Sequence, residues 1–166
     1  MPKILSKYIE CYIYSIKNKK VKYLLLKRSS DNKVHPGIWQ IVTGRIEENE
    51  KAFETALREL KEETGLTARR FFVLPNVTQF YTYQNDSINI IPLFLAEVEF
   101  KEVVISDEHS EYGWFEINEA VKKIHWVSQK ENLREINITL EKINPEKIYI
   151  EINTSKIKDI LTNKIT

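Results

Sequence analysis

Between Glu50 and Thr64 the apolar residues Phe53, Ala56, Leu57 and Leu60 recur at i, i+3, i+4 and i+7. That spacing reads as an amphipathic helix burying one face, and any fold for this chain must be built around it. Asn49 can cap its start and Gly65 its end. Beside the apolar stripe stand Glu59, Glu62 and Glu63, which at 100° per residue share a second stripe. Like charges at these spacings cost about 0.2–0.5 kcal/mol per pair, and the C-terminal end of a helix disfavours negative charge. Arg58 can pair with Glu54 or Glu62, and Lys61 offers partial relief. A cost concentrated at one spot points to a compensating ligand. A hard divalent cation is the natural one, and magnesium takes a few carboxylate oxygens together with waters and substrate phosphates. Three glutamates alone, in a chain with 24 acidic residues, would read as a solvated face.

The rest of the chain mixes strands and helices without a regular βαβ alternation, which predicts an α+β or α/β/α sandwich class. Tyr8 to Ile16 and Val21 to Leu26 read as a hairpin around Asn18-Lys19-Lys20. Ser29 to Pro36-Gly37 is a loop, and Ile38 to Val42 a short apolar strand. Phe71 to Tyr83 and Ile88 to Phe100 read as strands around the turn 84–87. Glu111 to Phe115 reads as a short strand, and Ile117 to Ile124 and Gln129 to Ile143 as helices, the last stopping at Asn144-Pro145. From Glu146 the pattern is mixed: Ile148, Ile150 and Ile152 alternate like a strand, whereas 155–164 fits a helix. No repeat or linker divides the sequence. We therefore read 1–166 as one domain, with 144–166 as a C-terminal extension that can dock on the domain, pair in a dimer or cover the site.

Composition narrows the partners. Lys+Arg 25 against Asp+Glu 24 gives a net charge of +1, which offers no general attraction to nucleic acid or anionic membrane. Lys17, Lys19, Lys20 and Lys22 cluster, but a solvated hairpin turn accounts for them. The single cysteine, Cys11, excludes an intrachain disulfide framework or a CxxC site. With no signal-peptide run and no membrane-length apolar stretch, the expected location is the cytoplasm.

Gly44, Glu50, Arg58-Glu59-Leu60, Glu62-Glu63 and Gly65-Leu66 fit G-x5-E-x7-R-E-U-x-E-E-x-G-U, with U apolar, at every position. Seven fixed residues at fixed spacing should arise by chance on the order of once in a million or less. The pattern resembles the signature box of the Nudix hydrolases. The resemblance implies a Nudix-type α/β/α sandwich with a central mixed sheet, the box forming loop, helix and loop. It also implies magnesium-dependent hydrolysis (manganese as the alternative) of a nucleoside diphosphate linked to another moiety, by attack of water on phosphorus. On that resemblance Glu59 and Glu63 are the chief metal ligands, and Glu62 is a further ligand or a supporting group. Arg58 orients the glutamates and bridges towards Glu50, and the main-chain carbonyl of Thr43 or Gly44 completes the shell. Family members often draw a further glutamate from a loop outside the box. Glu108 is the candidate, as catalytic group and metal ligand, and Glu111 its competitor.

Trp39-Gln40-Ile41-Val42-Thr43-Gly44, and Glu108-His109 followed by Tyr112 and Trp114, are similar to the subgroup acting on dihydroneopterin triphosphate and dATP-like nucleotides. Trp39 can stack on a base or pterin, or belong to the core. Gln40 can read a ring edge or the ribose. Arg28 and Arg45 can hold phosphates bidentately, or serve as surface charge. His109 reads as an acid or base, or as a loop histidine in local hydrogen bonds; His35 and His125 read as structural. Tyr81 and Tyr83 can face substrate or pack across strands. The expected activity is a pyrophosphohydrolase releasing a monophosphate and pyrophosphate from a nucleotide or pterin triphosphate, in a monomer or homodimer. The alternatives are a dinucleoside polyphosphate hydrolase and a catalytically silent nucleotide-sensing module, the latter disfavoured because no box glutamate is missing.

Overall fold

The computed structural model describes residues 1–155. The strand expected from Tyr8 is β2 (Tyr8–Lys17), which turns through Asn18 and Lys19, both at positive φ, into β3 (Lys20–Arg28). These two pair only near their turn, Tyr14–Lys17 against Lys20–Tyr23. Where they part, β4 (Trp39–Gln40) pairs with Leu26 and Lys27, and β5 (Val42–Arg45) pairs with Tyr8–Cys11. The expected short strand at Ile38–Val42 is thus two pieces, broken at Ile41.

Beyond β2 the sheet continues through β7 (Ser87–Val98), which runs parallel to it, and β6 (Ala68–Thr82), antiparallel to β7. A short N-terminal strand, β1 (Lys3–Leu5), joins β7 in parallel, and β8 (His109–Phe115) joins β3. Parallel and antiparallel pairs share one nine-stranded sheet, the mixed sheet expected. Nothing in the alternation of residues 3–5 marked β1.

Alternation along β2 sorts the core into two layers. Ile9, Cys11 and Ile13 face α1 (Ala52–Thr64), packing with Ala56 and Leu60. Tyr12 and Tyr14 face α2 (Ile117–Lys123) and α3 (Val127–Ile138), packing with Ala120, Val121, Leu133 and Ile136. Helices therefore cover both faces, giving the α/β/α sandwich. The helix expected to run to Ile143 does so by widening into a π-helical turn, Thr139–Ile143.

The extension packs on the domain as far as Ile152, whose amide donates to Phe71 O at 2.8 Å. Tyr149 is buried against Phe72, its hydroxyl meeting Thr139 Oγ1 at 3.1 Å. β9 (Ile150–Glu151) pairs with Phe72 and Val73 of β6, and Arg70 grips Glu146 and Glu151. The helix expected over 155–164 falls outside the described residues beyond its first position. At the hairpin turn Lys20 and Lys22 both pair with Glu116, so part of the cluster's charge is offset within the fold.

Candidate active site

The box helix starts two residues later than Asn49 would have capped it. Lys51 is the N-cap, and its amide donates to Glu54 Oε2 at 3.0 Å. Asn49 instead takes a left-handed turn, φ 64°, that brings Glu50 towards the helix side. Glu50 accepts there from Thr55 Oγ1 at 2.7 Å and from the Glu47 amide at 3.2 Å. At the other end Gly65, φ 69°, donates to Lys61 O at 2.9 Å, a left-handed C-cap that favours glycine.

Arg58 organises the acidic stripe. Its Nε and Nη2 donate to the two Glu50 oxygens at 2.9 and 3.0 Å, and Nη1 donates to Glu59 Oε1 and Glu62 Oε2 at 2.9 Å each. Nη2 also reaches Arg45 O at 3.2 Å. All five guanidinium donors are used. Burial alone would raise the Glu50 carboxyl, but Arg58, the Thr55 hydroxyl and the Glu47 amide hold it down to about 2.

The other acids differ sharply. The Glu62 side chain is 58% exposed and meets Arg58. Glu59 and Glu63 are 15% and 9% exposed. Burial lifts Glu59 to about 7 despite Arg58, and the charges of Glu63 and Glu62 add to the rise. Burial also raises Glu63, with Glu108 adding to the effect and His109 and Arg28 opposing it. Gly44 is pressed against Glu59: a Cβ there would lie 2.2 Å from Glu59 Cγ. Only a glycine lets the β5 main chain come this close to the helix.

Arg45, with Ile46, Glu47, Glu48, Arg58 and Glu59, lines an open cleft of about 410 Å³. Arg28 ends β3 opposite His109, its Nε buried without a hydrogen-bond partner among the described residues. Glu108 is exposed, its carbonyl tied to the Ser29 amide at 2.9 Å, and its charge is felt by Glu63. Glu111 instead pairs with Lys27 at 2.6 Å across β3 and β8. Thr43 lies opposite Glu10 in the sheet, with its neighbour Gly44 against Glu59. Gln40 is buried opposite Leu26, on the α1 side. Trp39 packs edge-on to Phe115 at 5.5 Å, in the core beneath α2 and α3, away from Glu59.

His109 is the residue that sequence reasoning placed least well. It begins β8 rather than sitting in a loop, and its imidazole is buried with Nε2 3.1 Å from Glu63 Oε2. Its partner lies 46 residues away, beyond the reach of local pattern.

Among the described residues no three His, Cys, Asp or Glu side chains draw close enough to cage an ion unaided. What the site offers is one buried and one half-buried carboxylate, each beside other acids, with a glycine main chain against the half-buried one. Such a partial set of hard oxygens suits an ion that keeps waters and phosphate oxygens as its other ligands.

A mixed-sheet sandwich carrying this acidic helix defines a hydrolase of phosphoric anhydrides. The NUDIX domain family matches residues 10–136, and the chain belongs to that family. It is 32% identical over 126 residues to the bis(5'-nucleosyl)-tetraphosphatase [asymmetrical] of Rattus norvegicus, covering 74% of this chain and 83% of that protein. To the dihydroneopterin triphosphate diphosphatase of Haemophilus influenzae it is 30% identical over 113 residues, covering 61% and 69%. The structure of the E. coli dihydroneopterin triphosphate pyrophosphohydrolase superposes with a TM-score of 0.64 at 25% identity, covering 80% of this chain and 99% of that one. Relatives of differing specificity thus match, and the family activity is what they share. Among the described residues no helix is long and apolar enough to cross a membrane.

Proposed function

We propose that this Nudix hydrolase is a pyrophosphohydrolase of a nucleoside triphosphate-like substrate, of the dihydroneopterin triphosphate or dATP type, releasing a monophosphate and pyrophosphate. The observation that carries the chemistry is the half-buried Glu59, packed against Gly44, one helical turn from the buried Glu63. Those two carboxylates hold a divalent cation, magnesium or manganese, with the Gly44 or Thr43 carbonyl as a further oxygen. When bound, the cation cancels charge on the phosphate oxygens and acidifies a water. Arg58 fixes Glu59 from one side and, through Glu50, anchors the loop that presents Gly44. Arg45 at the cleft and Arg28 beside Glu63 bind phosphate oxygens, as planar guanidinium groups do well. Glu108, exposed and adjacent to Glu63, is free to take the proton of the attacking water. The similarity of the Trp39–Gly44 and Glu108–Trp114 segments to the pterin and dATP subgroup supports the substrate class.

A second reading, hydrolysis of dinucleoside polyphosphates, is favoured by the rat relative and by the hairpin between β6 and β7. There Phe80, Tyr81 and Tyr83 are 47%, 57% and 77% exposed, a surface suited to stacking on a base. A panel of dihydroneopterin triphosphate, (deoxy)nucleoside triphosphates and a dinucleoside tetraphosphate, assayed with Mg²⁺ and resolved by chromatography, separates the two. The expected result is preference for the pterin or dATP with pyrophosphate release. Cleavage of the dinucleotide alone would move the second reading to first place.

A further inference from the structure

We propose that His109 is a positioning residue for Glu63, fixing which carboxylate oxygen the helix presents to the cation. The proposal rests on the cation reading above and goes beyond it by adding a residue outside the signature box. The His109 side chain is 2% exposed and meets Glu63 Oε2 at 3.1 Å. Its Nδ1 is buried without a hydrogen-bond partner among the described residues. An imidazole so placed satisfies a carboxylate by donating from Nε2, which engages Oε2 and leaves Oε1 for the ligand.

The donor is anchored by backbone. His109 pairs with Arg28 across β3 and β8, and its amide donates to Ser106 O at 3.1 Å. The preceding carbonyl, of Glu108, accepts from the Ser29 amide at 2.9 Å. The sheet therefore holds the imidazole, and the imidazole holds the last turn of α1. Such outer hydrogen bonds to ligands set ligand orientation and are worth about 10–100-fold in metal affinity. The same bond also couples two parts of the site from distant stretches of chain, the helix carboxylates and the strand start beside Glu108.

Side-chain length separates positioning from mere packing. A glutamine amide nitrogen stands as many bonds from Cβ as histidine Nε2, whereas asparagine's stands only as far as Nδ1. Mn²⁺ binding to the substrate-free protein, followed by electron paramagnetic resonance, is measured for wild type, His109→Gln, His109→Asn and His109→Ala, with thermal unfolding of each. His109→Gln is expected to bind within about threefold of wild type, and the Asn and Ala variants roughly 10–100-fold more weakly, without an order of affinities that follows Tm. Wild-type affinity in His109→Ala overturns the proposal. So does equal weakening in Gln and Asn that tracks Tm, which is the mark of packing alone. A wild-type protein that takes up no Mn²⁺ overturns the cation reading and the proposal with it, so the two failures are distinguishable.

Discussion

Two clusters of buried glutamate lie on opposite faces of the same sheet, and they are closed in different ways. Beneath α3, Glu10 is 4% exposed and accepts from Thr78 Oγ1 at 2.9 Å, Gln129 Nε2 at 3.1 Å and Tyr12 Oη at 3.2 Å. Asn132 donates in turn to the Tyr12 and Thr78 oxygens. Every donor is neutral and internal, and burial raises the carboxyl. Beneath α1, Glu59 and Glu63 are also raised by burial, but each stands beside further acids, and the guanidinium of Arg58 is shared among Glu50, Glu59 and Glu62. Burial alone therefore does not distinguish a structural carboxylate from a functional one. The distinction lies in whether the surroundings complete the group's bonding or leave charge for something outside the chain to complete.

The strongest break in this comparison comes from the acids themselves. Glu59→Gln and Glu63→Gln are each expected to lower kcat by roughly 10²–10³-fold or more with folding preserved, because the charge they supply is used on the substrate side. Steady-state rates with Mg²⁺ beside circular dichroism check this, and near-normal turnover in both would remove the metal-cluster account. Glu108→Gln should cost about 10²–10⁴-fold, the range of a lost general base; an intact rate would shift the role to Glu111, in spite of its pairing with Lys27. Gly44→Ala should cost roughly 10–100-fold in kcat/KM, since displacing Glu59 by about 1 Å misplaces the reacting geometry.

Glu10→Ala reverses the pattern. It strands the donors of Tyr12, Thr78 and Gln129, so unfolding in urea should show a loss of about 2–3 kcal/mol while turnover per folded molecule holds.

The smallest effect is in pH. Glu59, raised to about 7, binds its proton more tightly in the folded state, so the metal-free protein gains stability as pH falls through 7 towards 4.5. Glu50, lowered to about 2, contributes stability that is complete above 4.5 and is lost as pH falls towards 2. Tm measured with EDTA should therefore rise and then fall on acidification, with limbs of roughly 2–4 °C. Glu59→Gln should flatten the upper limb and Glu50→Gln the lower.

The α1 cluster was legible in sequence and the α3 cluster was not, for a physical reason. Phe53, Ala56, Leu57 and Leu60, Arg58 and the glutamates lie within a few turns of one helix, where spacing is geometry: Arg58 meets Glu62 at i+4 as the spacing allowed, while its bridge to Glu50 was implied by the family resemblance. The Glu10 network joins residues from β2, β6 and α3, up to 119 positions apart, and only the oddity of a carboxylate inside the apolar run of Tyr8 to Ile16 hinted at it. Helix α1 appeared with its Gly65 cap, but its start moved because Glu54 and the turned Glu50 took over capping from Asn49. The strands appeared near their expected bounds where their residues alternate. β1 and the break at Ile41 depend on β7 and on the parting hairpin, neither of which is local. Trp39 illustrates the same limit: whether an aromatic in a short strand faces a ligand or the core is decided by Phe115 and α2, far along the chain.

The most direct test sets one residue from each face side by side: the Mg²⁺-saturated kcat of Glu63→Gln and of Glu10→Ala, each corrected for its folded fraction. The expected result is a loss of roughly 10²-fold or more in Glu63→Gln and a wild-type rate in Glu10→Ala. Wild-type turnover in Glu63→Gln would contradict the assignment of the α1 face as the reacting one.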